Sequence, residues 1–223
     1  MTTALNINHL QFLVTGAFWT LVLSVMAFIG GGLFGFLVAL GRITPSRTVR
    51  IVTGAYVQLI QGTPLLVIMF IIYFGLPTLG LSITPLFAAG LSLTIYVSAY
   101  LGEIWRGCLE SVPKAQWEAA ECLALSKMQR MFKVILPQAV RIATPPTVGF
   151  SVQIVKNTSL ASVVGFVELT RAGQLINNSI FEPFLIYLIV AGLYFCLCFP
   201  LSVLSQRLER RGLRMRATAK PAT

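Results

Sequence analysis

The chain has 223 residues, of which 56% are hydrophobic and 11% are charged, and its mean hydropathy is +0.82. Soluble domains are about 45–50% apolar and about 25% charged, so this composition indicates an integral membrane protein. There is no aspartate and one histidine, His9, which excludes a Ser-His-Asp triad, an HExxH zinc site and an aspartyl-phosphate pump. The basic residues behind the formal charge of +10 flank apolar runs, so they indicate membrane orientation and not a nucleic-acid partner.

Five apolar runs predict five membrane-spanning helices, because each run can cross a hydrocarbon core of about 30 Å. The first run, at about 11–41, follows a short segment, 1–10, without a basic region and is too long for a signal peptide. We therefore expect it to remain as a span. Its small residues predict close helix packing and not phosphate binding, since no lysine follows them. These residues are Gly30, Gly31, Gly32 and Gly35.

The second run, at about 49–76, follows a short basic loop and is interrupted by Gly62, Thr63 and Pro64. Proline removes a backbone donor and bends a helix, so we expect a bend there that the protein itself must stabilise. An uncharged turn leads from this run to the third run, at about 84–107.

A fourth run begins near Ile135, and we expect it to break at Pro145 and Pro146. The short stretch 167–183 is amphipathic and predicts a helix at the outer membrane surface. The last run covers about 184–206, and a basic tail follows it.

The basic residues predict the orientation of the spans. Fifteen of the seventeen lysines and arginines fall in the first loop, in the region after the third run and in the tail 207–223. Only Lys156 and Arg171 lie elsewhere. Cytoplasmic loops carry an excess of lysine and arginine, so we expect segment 1–10 outside and the tail and region 114–137 in the cytoplasm.

Region 114–137 is unusually polar for this chain, and its periodicity predicts two short amphipathic helices. The second begins at Ser126, where Gln129 three residues later gives a capping-box pattern. Two such helices cannot bury their apolar faces against each other alone. They either dock on a partner protein or lie along lipid headgroups.

Residues 118–137, EAAECLALSKMQRMFKVILP, resemble the EAA motif of the permease subunits of bacterial ABC importers. That motif is Glu-Ala-Ala, three residues, Gly, nine residues, an aliphatic residue, one more, then Leu-Pro. Ala124 stands in place of the motif glycine. Other stretches are similar to the polar amino-acid branch of the family and extend the resemblance to about residues 11–210: QGTPLLVIMFIIYFGLP, AYLGEIWRGCLESVPKAQWEAA, ILPQAVRIATPP and KNTSLASVVGFVELTRAGQ.

The resemblance implies an all-α integral membrane protein with five transmembrane helices of the type I ABC importer permease fold and cytoplasmic coupling helices. It implies a bacterial cytoplasmic-membrane location and three kinds of partner: a dimer of ATP-binding subunits, a second identical or homologous permease chain, and an extracytoplasmic amino-acid-binding protein. ATP and Mg are then used by the partner ATPase, and this chain is expected to bind no cofactor and to have no catalytic residue. The implied coupling residues are Glu118, Ala119, Ala120, Ala124, Leu136 and Pro137.

Polar residues at membrane depth are candidates for the translocation pathway, because unpaired polar groups there are costly. Glu103 either faces the pathway or pairs with Arg106 one turn away. Around Asn157 we expect unwound backbone beside a cavity, and the alternative is helix-end capping by Thr158 or Ser159. The candidate pathway residues are Gln61, Thr63, Tyr96, Ser98, Glu103, Lys156, Asn157, Thr158 and Ser159.

Two departures from the family pattern bear on the substrate. Relatives usually carry Arg where Gln61 stands, and those that prefer charged substrates often carry Asp where Asn157 stands. We expect neutral or acidic polar amino acids, although a free Glu103 carboxylate would favour cations. The alternatives from other classes of protein are a secondary transporter or channel and a membrane-anchored scaffold. A secondary transporter or channel predicts inverted repeats and intramembrane acidic relays, and a membrane scaffold does not need proline-interrupted spans.

Overall fold

The computed structural model describes residues 5–218, with side chains described for residues 5–211. Regular structure within this range is helical throughout. The helices are α1 (Ile7–Ile43), α2 (Arg47–Gly62), α3 (Leu65–Thr78), α4 (Pro85–Glu110), α5 (Lys114–Cys122), α6 (Lys127–Val164), α7 (Leu169–Ile180) and α8 (Pro183–Thr218).

Three of these helices, α1, α4 and α8, are each long and apolar enough to cross a membrane. Two bent pairs, α2 with α3 and α6 with α7, bring the candidate crossings in residues 5–218 to five. The bends measure 101° and 49°. The predicted second span is therefore an angled pair of helices, and the other pair joins the predicted fourth span to the helix predicted separately at 167–183. The expected tail 207–223 lies partly outside the described residues, as does part of segment 1–10. Up to Thr218 the backbone of the tail continues α8.

The close pairing of α1 with α4 forms the centre of the fold. Gly30 lies opposite Thr94 and Gly35 lies opposite Gly102, so the two helices run in the same direction. A Cβ atom on Gly35 would lie 3.0 Å from the backbone oxygen of Ser98, which leaves no room for a side chain. Glycine therefore sets the separation of the two helices, and the predicted packing role is confirmed.

The bend between α2 and α3 confirms the predicted interruption. α2 ends at Gly62 and α3 begins at Leu65. Pro64 has no N–H to donate into the preceding turn. The hydroxyl of Thr63 donates to the carbonyl oxygen of Leu59 at 2.8 Å, which satisfies one acceptor at the end of α2.

The predicted break at Pro145 and Pro146 is wrong, because α6 continues through both residues. The fixed φ of proline is compatible with a helix, and what proline removes is a hydrogen bond. The carbonyl oxygens of Arg141 and Ile142 lose their helical donors at the two prolines. Close by, Ser205 of α8 donates to the carbonyl oxygen of Pro145 at 3.1 Å, which attaches α8 to α6 at this point, and Thr144 donates to that of Val140 at 2.7 Å.

Helix α6 changes its geometry near both ends. Arg130–Ile135 is a π-helix just before Pro137, whose missing N–H interrupts the regular ladder of hydrogen bonds. Thr158–Val164 is a 3-10 helix that ends at Gly165, which has a φ of 85°. The backbone after Asn157 is thus tightened, contrary to the unwound backbone expected there.

Helix α7 confirms the predicted amphipathic helix within 167–183. Its apolar residues pack against α1 and α8 in one buried cluster. The cluster comprises Leu13, Ala17, Leu169, Ala172, Ile176, Ile180, Ile186 and Val190. The apolar face of this helix is therefore covered by residues of its own chain.

Candidate coupling surface and pathway residues

Helix α5 and the start of α6 form a helical hairpin, residues 114–137, which we call the coupling region. Its inner side is held by a small apolar cluster containing Leu109, Val112, Ile135 and Ala139, with Trp117 packed against it. Ala120 of the EAA-like motif is also buried. The hairpin is thus anchored to the end of α4 and to α6.

The turn of this hairpin is made at Ala124, the residue that stands in place of the motif glycine. Ala124 has a φ of 53°, in the left-handed region that glycine adopts most easily. The N–H of Ala124 bonds to the carbonyl of Glu121 at 2.9 Å, and that of Leu125 bonds to the carbonyl of Ala120 at 3.3 Å. This pair of bonds is a Schellman motif, so Ala124 makes the tight turn that the motif glycine would make.

The next helix begins with the predicted capping box. The hydroxyl of Ser126 accepts from the N–H of Gln129 at 3.3 Å, and the Gln129 side chain accepts from the N–H of Ser126 at 3.0 Å. The two ends of the turn are therefore fixed by local hydrogen bonds, which makes the hairpin a defined shape.

The outer side of the coupling region carries large apolar residues that the chain does not cover. Leu123 is 73% exposed, Met128 69% and Phe132 48%. Glu118 is exposed on the same hairpin, and Glu121 pairs with Arg130 at 2.9 Å. Of the other motif residues, Ala119 and Pro137 are exposed and Leu136 is half-buried. A polar region with uncovered apolar residues has the character of a protein-binding surface.

At membrane depth, two of the predicted pathway residues come together with three that were not predicted. The rings of Tyr96 and Tyr100 lie 4.4 Å apart, and Tyr100 stacks on Phe150 at 5.5 Å. Asn157 is close enough to Tyr96 for their side chains to interact, and it accepts a hydrogen bond from Gln153 at 3.1 Å. None of the five is buried. We call this group the aromatic–amide cluster.

Spacing could have identified the additional members of this cluster. Tyr96 and Tyr100, like Gln153 and Asn157, are four residues apart, which places each pair on one helix face. Phe150 carried no comparable signal, since an aromatic residue in an apolar run is usually packing.

The other predicted pathway residues have local partners. The hydroxyl oxygens of Ser98 and Tyr56 lie 2.6 Å apart, and Ser98 is buried. The hydroxyl groups of Thr158 and Ser159 donate to the carbonyl oxygens three residues earlier, at 2.7 and 2.8 Å. Gln61 is half-buried, Thr63 lies at the α2–α3 bend, and exposed Lys156 pairs with no acidic side chain within residues 5–211. Their transport roles stay predictions.

Glu103 lies in a network of charges at the ends of α1 and α4. It accepts from Nε of Arg106 at 2.9 Å and lies 3.5 Å from Nε of Arg42. Arg106 also pairs with Glu110. The charge of Glu103 is therefore balanced by two guanidinium groups.

Glu168 is a polar residue that the sequence reasoning missed. Its fully buried carboxylate caps α7 by accepting from the N–H groups of Thr170 at 2.8 Å and Arg171 at 2.9 Å. It also accepts from the hydroxyl of Tyr194 at 2.8 Å. Glu is not among the preferred N-cap residues, so position 168 carries no capping signal that could be recognised from the sequence.

The chain belongs to the family of binding-protein-dependent transport system inner membrane components, whose family model matches residues 31–213. It is 37% identical over 197 residues to the L-cystine transport system permease protein TcyB of Bacillus subtilis (strain 168), covering 88% of this chain and 84% of that one. It is 36% identical over 211 residues to the probable glutamine ABC transporter permease protein GlnM of the same organism, covering 95% and 98%.

Solved structures agree with this assignment. An amino acid ABC transporter, determined with histidines, matches with a TM-score of 0.87 and 31% identity over 94% of this chain and 100% of that chain. The inward-facing MetNI methionine ABC transporter matches with a TM-score of 0.76 over 93% and 99%, and at 21% identity it supports the fold alone. The predicted all-α membrane fold of type I ABC importer permeases is confirmed.

Proposed function

We propose that this chain is the permease subunit of an ATP-driven importer for a polar amino acid. It forms the translocation pathway and couples to a separate ATPase through the coupling region. The observation that carries this proposal is the hairpin at 114–137, whose fold is fixed internally while Leu123, Met128 and Phe132 stay uncovered. Relatives named as permeases for cystine and glutamine support the substrate class.

The proposal includes partners that supply ATP hydrolysis, substrate delivery and the second half of the pathway. Two cytoplasmic ATP-binding subunits hydrolyse ATP with Mg, and an extracytoplasmic binding protein delivers the substrate. Five crossings per chain are too few for a wide pathway, so a second permease chain completes it.

Reconstitution tests the proposal against the alternative of a self-contained transporter. Proteoliposomes containing this chain, its ATPase and its binding protein should take up an amino acid only when ATP is present on the side of the membrane that the ATPase faces. Omitting the ATPase should abolish uptake. Uptake by the permease chain alone, driven by an ion gradient, would contradict the proposal and favour a secondary transporter.

The proposed orientation places the N-terminal segment outside and both the coupling region and the C-terminus in the cytoplasm. Fifteen of seventeen basic residues support it. Cysteine labelling at Ser82 and Gln116, both exposed, tests it. Exposed Cys122 and Cys196 are first replaced by serine. Impermeant reagent should label position 82 in intact cells, and labelling of position 116 would reverse the assignment.

For the substrate, we favour neutral or acidic polar amino acids over lysine and arginine. Glu103 is balanced by Arg42 and Arg106, so it offers little net attraction for a cation. The aromatic–amide cluster contains only uncharged groups. The cationic side chain of Lys156 is exposed, and Lys156 directly precedes Asn157, a member of this cluster. Competition assays with each amino acid loaded on the binding protein test this. Uptake of lysine or arginine alone would contradict it.

A further inference from the structure

An apolar groove of about 270 Å³ lies between α1, α4 and α6, apart from the aromatic–amide cluster. One wall is a stripe of residues on a single face of α6, and the facing wall comes from α1 and α4. The residues that define it are Phe36, Trp105, Leu136, Val140, Thr144 and Val148.

The length of the groove matches one leaflet of a bilayer. Leu136 and Val148 are twelve residues apart on α6, which corresponds to about 18 Å at 1.5 Å per residue. Half of a hydrocarbon core of about 30 Å is about 15 Å. The groove is therefore deep enough for one extended acyl chain.

The walls of the groove offer no free polar group to a hydrophilic ligand. The indole N–H of Trp105 donates to the hydroxyl of Thr147 at 2.8 Å. The hydroxyl of Thr144 donates to the backbone of Val140 at 2.7 Å. Because these groups are already satisfied, the groove favours an apolar occupant.

A second groove of about 290 Å³ adjoins the first at Leu109, which lines both. It is lined by Arg42, Arg50, Glu110 and Trp117 at the ends of α1 and α4. Glu110 is paired with Arg106, which lies outside the groove. The exposed Arg50 side chain pairs with no acidic group within the residues whose side chains are described, so this groove is basic.

We propose that the two grooves together bind a phospholipid with an anionic headgroup, taken from the leaflet beside the first basic loop. One acyl chain lies along the α6 stripe, and the phosphate lies against Arg50 and Arg42. Basic pockets between membrane helices on the cytoplasmic side bind acidic headgroups. A helix from a second permease copy would fill the apolar groove but would leave the basic one without an anion.

Native mass spectrometry of the purified full chain tests the proposal. The protein is titrated with phosphatidylglycerol or phosphatidylcholine of identical acyl chains, and bound lipid is counted. Arg42 is already paired with Glu103, so the preference depends on Arg50. One basic residue near the surface contributes about 1 kcal/mol to acidic-lipid binding, so phosphatidylglycerol should bind about fivefold more tightly than phosphatidylcholine. Arg50→Gln should remove most of that preference, whereas Arg47→Gln, one turn away and outside both grooves, should retain it.

A second variant tests the apolar groove. Thr144→Phe places a ring in the groove from an exposed position and should weaken binding of both lipids. Leu37→Phe, exposed on α1 outside the groove, is the matched control. Equal binding of the two lipids by the unmodified chain would overturn the proposal. The same lipid preference in the Arg50→Gln and Arg47→Gln variants would also overturn it. Loss of permease dimers with Thr144→Phe, at unchanged lipid binding, would instead assign the groove to a second copy.

Discussion

The coupling region and the region around α7 are built from similar parts but differ in how completely the chain covers them. Each contains a short amphipathic helix followed by a non-glycine residue with a positive φ, Ala124 at 53° and Phe181 at 57°. Around α7, the apolar face is buried and the carboxylate of Glu168 is fully hydrogen-bonded. In the coupling region, Leu123 is uncovered.

This difference distinguishes apolar side chains that the fold buries from apolar side chains that it leaves exposed. A helix that buries its apolar face within its own chain contributes mainly to stability. A helix with a well-fixed backbone and an uncovered apolar face contributes little to stability and presents a surface. The predictions below test that distinction, first through stability and then through binding.

The same substitution should lower stability strongly in one region and hardly change it in the other. Leu169→Ala removes a fully buried side chain and should lower the free energy of unfolding by about 2–5 kcal/mol. Leu123→Ala removes an exposed one and should change it by less than about 0.5 kcal/mol. Denaturation of the purified chain in detergent measures both. Equal losses of stability would remove the distinction between the regions.

Loss of the buried cap of α7 should be the next largest effect. Glu168→Ala leaves Tyr194 and two backbone N–H groups without their acceptor, at a cost of about 2–3 kcal/mol. Glu182→Ala is the matched control, since that glutamate is exposed. Thermal unfolding compares the two variants. A Glu168→Ala protein as stable as Glu182→Ala would show that the cap contributes nothing.

Relief of the two positive φ angles should give a smaller gain. Ala124→Gly removes the penalty of a Cβ in the left-handed region and should stabilise the chain by up to about 1 kcal/mol. Exposed Phe181→Gly should also gain from this relief. Ala119→Gly, within α5, should instead cost about 1 kcal/mol, because glycine is a poor helix former. Destabilisation by Ala124→Gly would show that the turn does not strain alanine.

The sequence predicted the helical hairpin at 114–137 well because its signals are local. Ser126 and Gln129 carry a capping box within four residues, and the motif glycine position coincides with Ala124, where the backbone turns. Such features depend on neighbours in the chain and not on distant contacts.

Features that depend on distant contacts were predicted less well. Pro145 was expected to break α6, but α6 runs through it in contact with α8, where Ser205, sixty residues later, donates to the carbonyl oxygen of Pro145. Glu168 was missed because its importance comes from Tyr194 and from burial between helices. Phe150 joins Tyr100 only once α4 and α6 are packed together. None of these contacts has a signature in the local sequence.

The most direct test of the central claim is the affinity of the ATPase subunit for the permease carrying Glu118→Arg. This change reverses an exposed charge on the coupling region and leaves the buried cluster beneath it intact. We predict at least a tenfold loss of affinity with unchanged stability of the permease, and full affinity for the control Glu182→Arg. Unchanged ATPase binding together with unchanged transport would contradict the assignment of region 114–137 as the coupling surface.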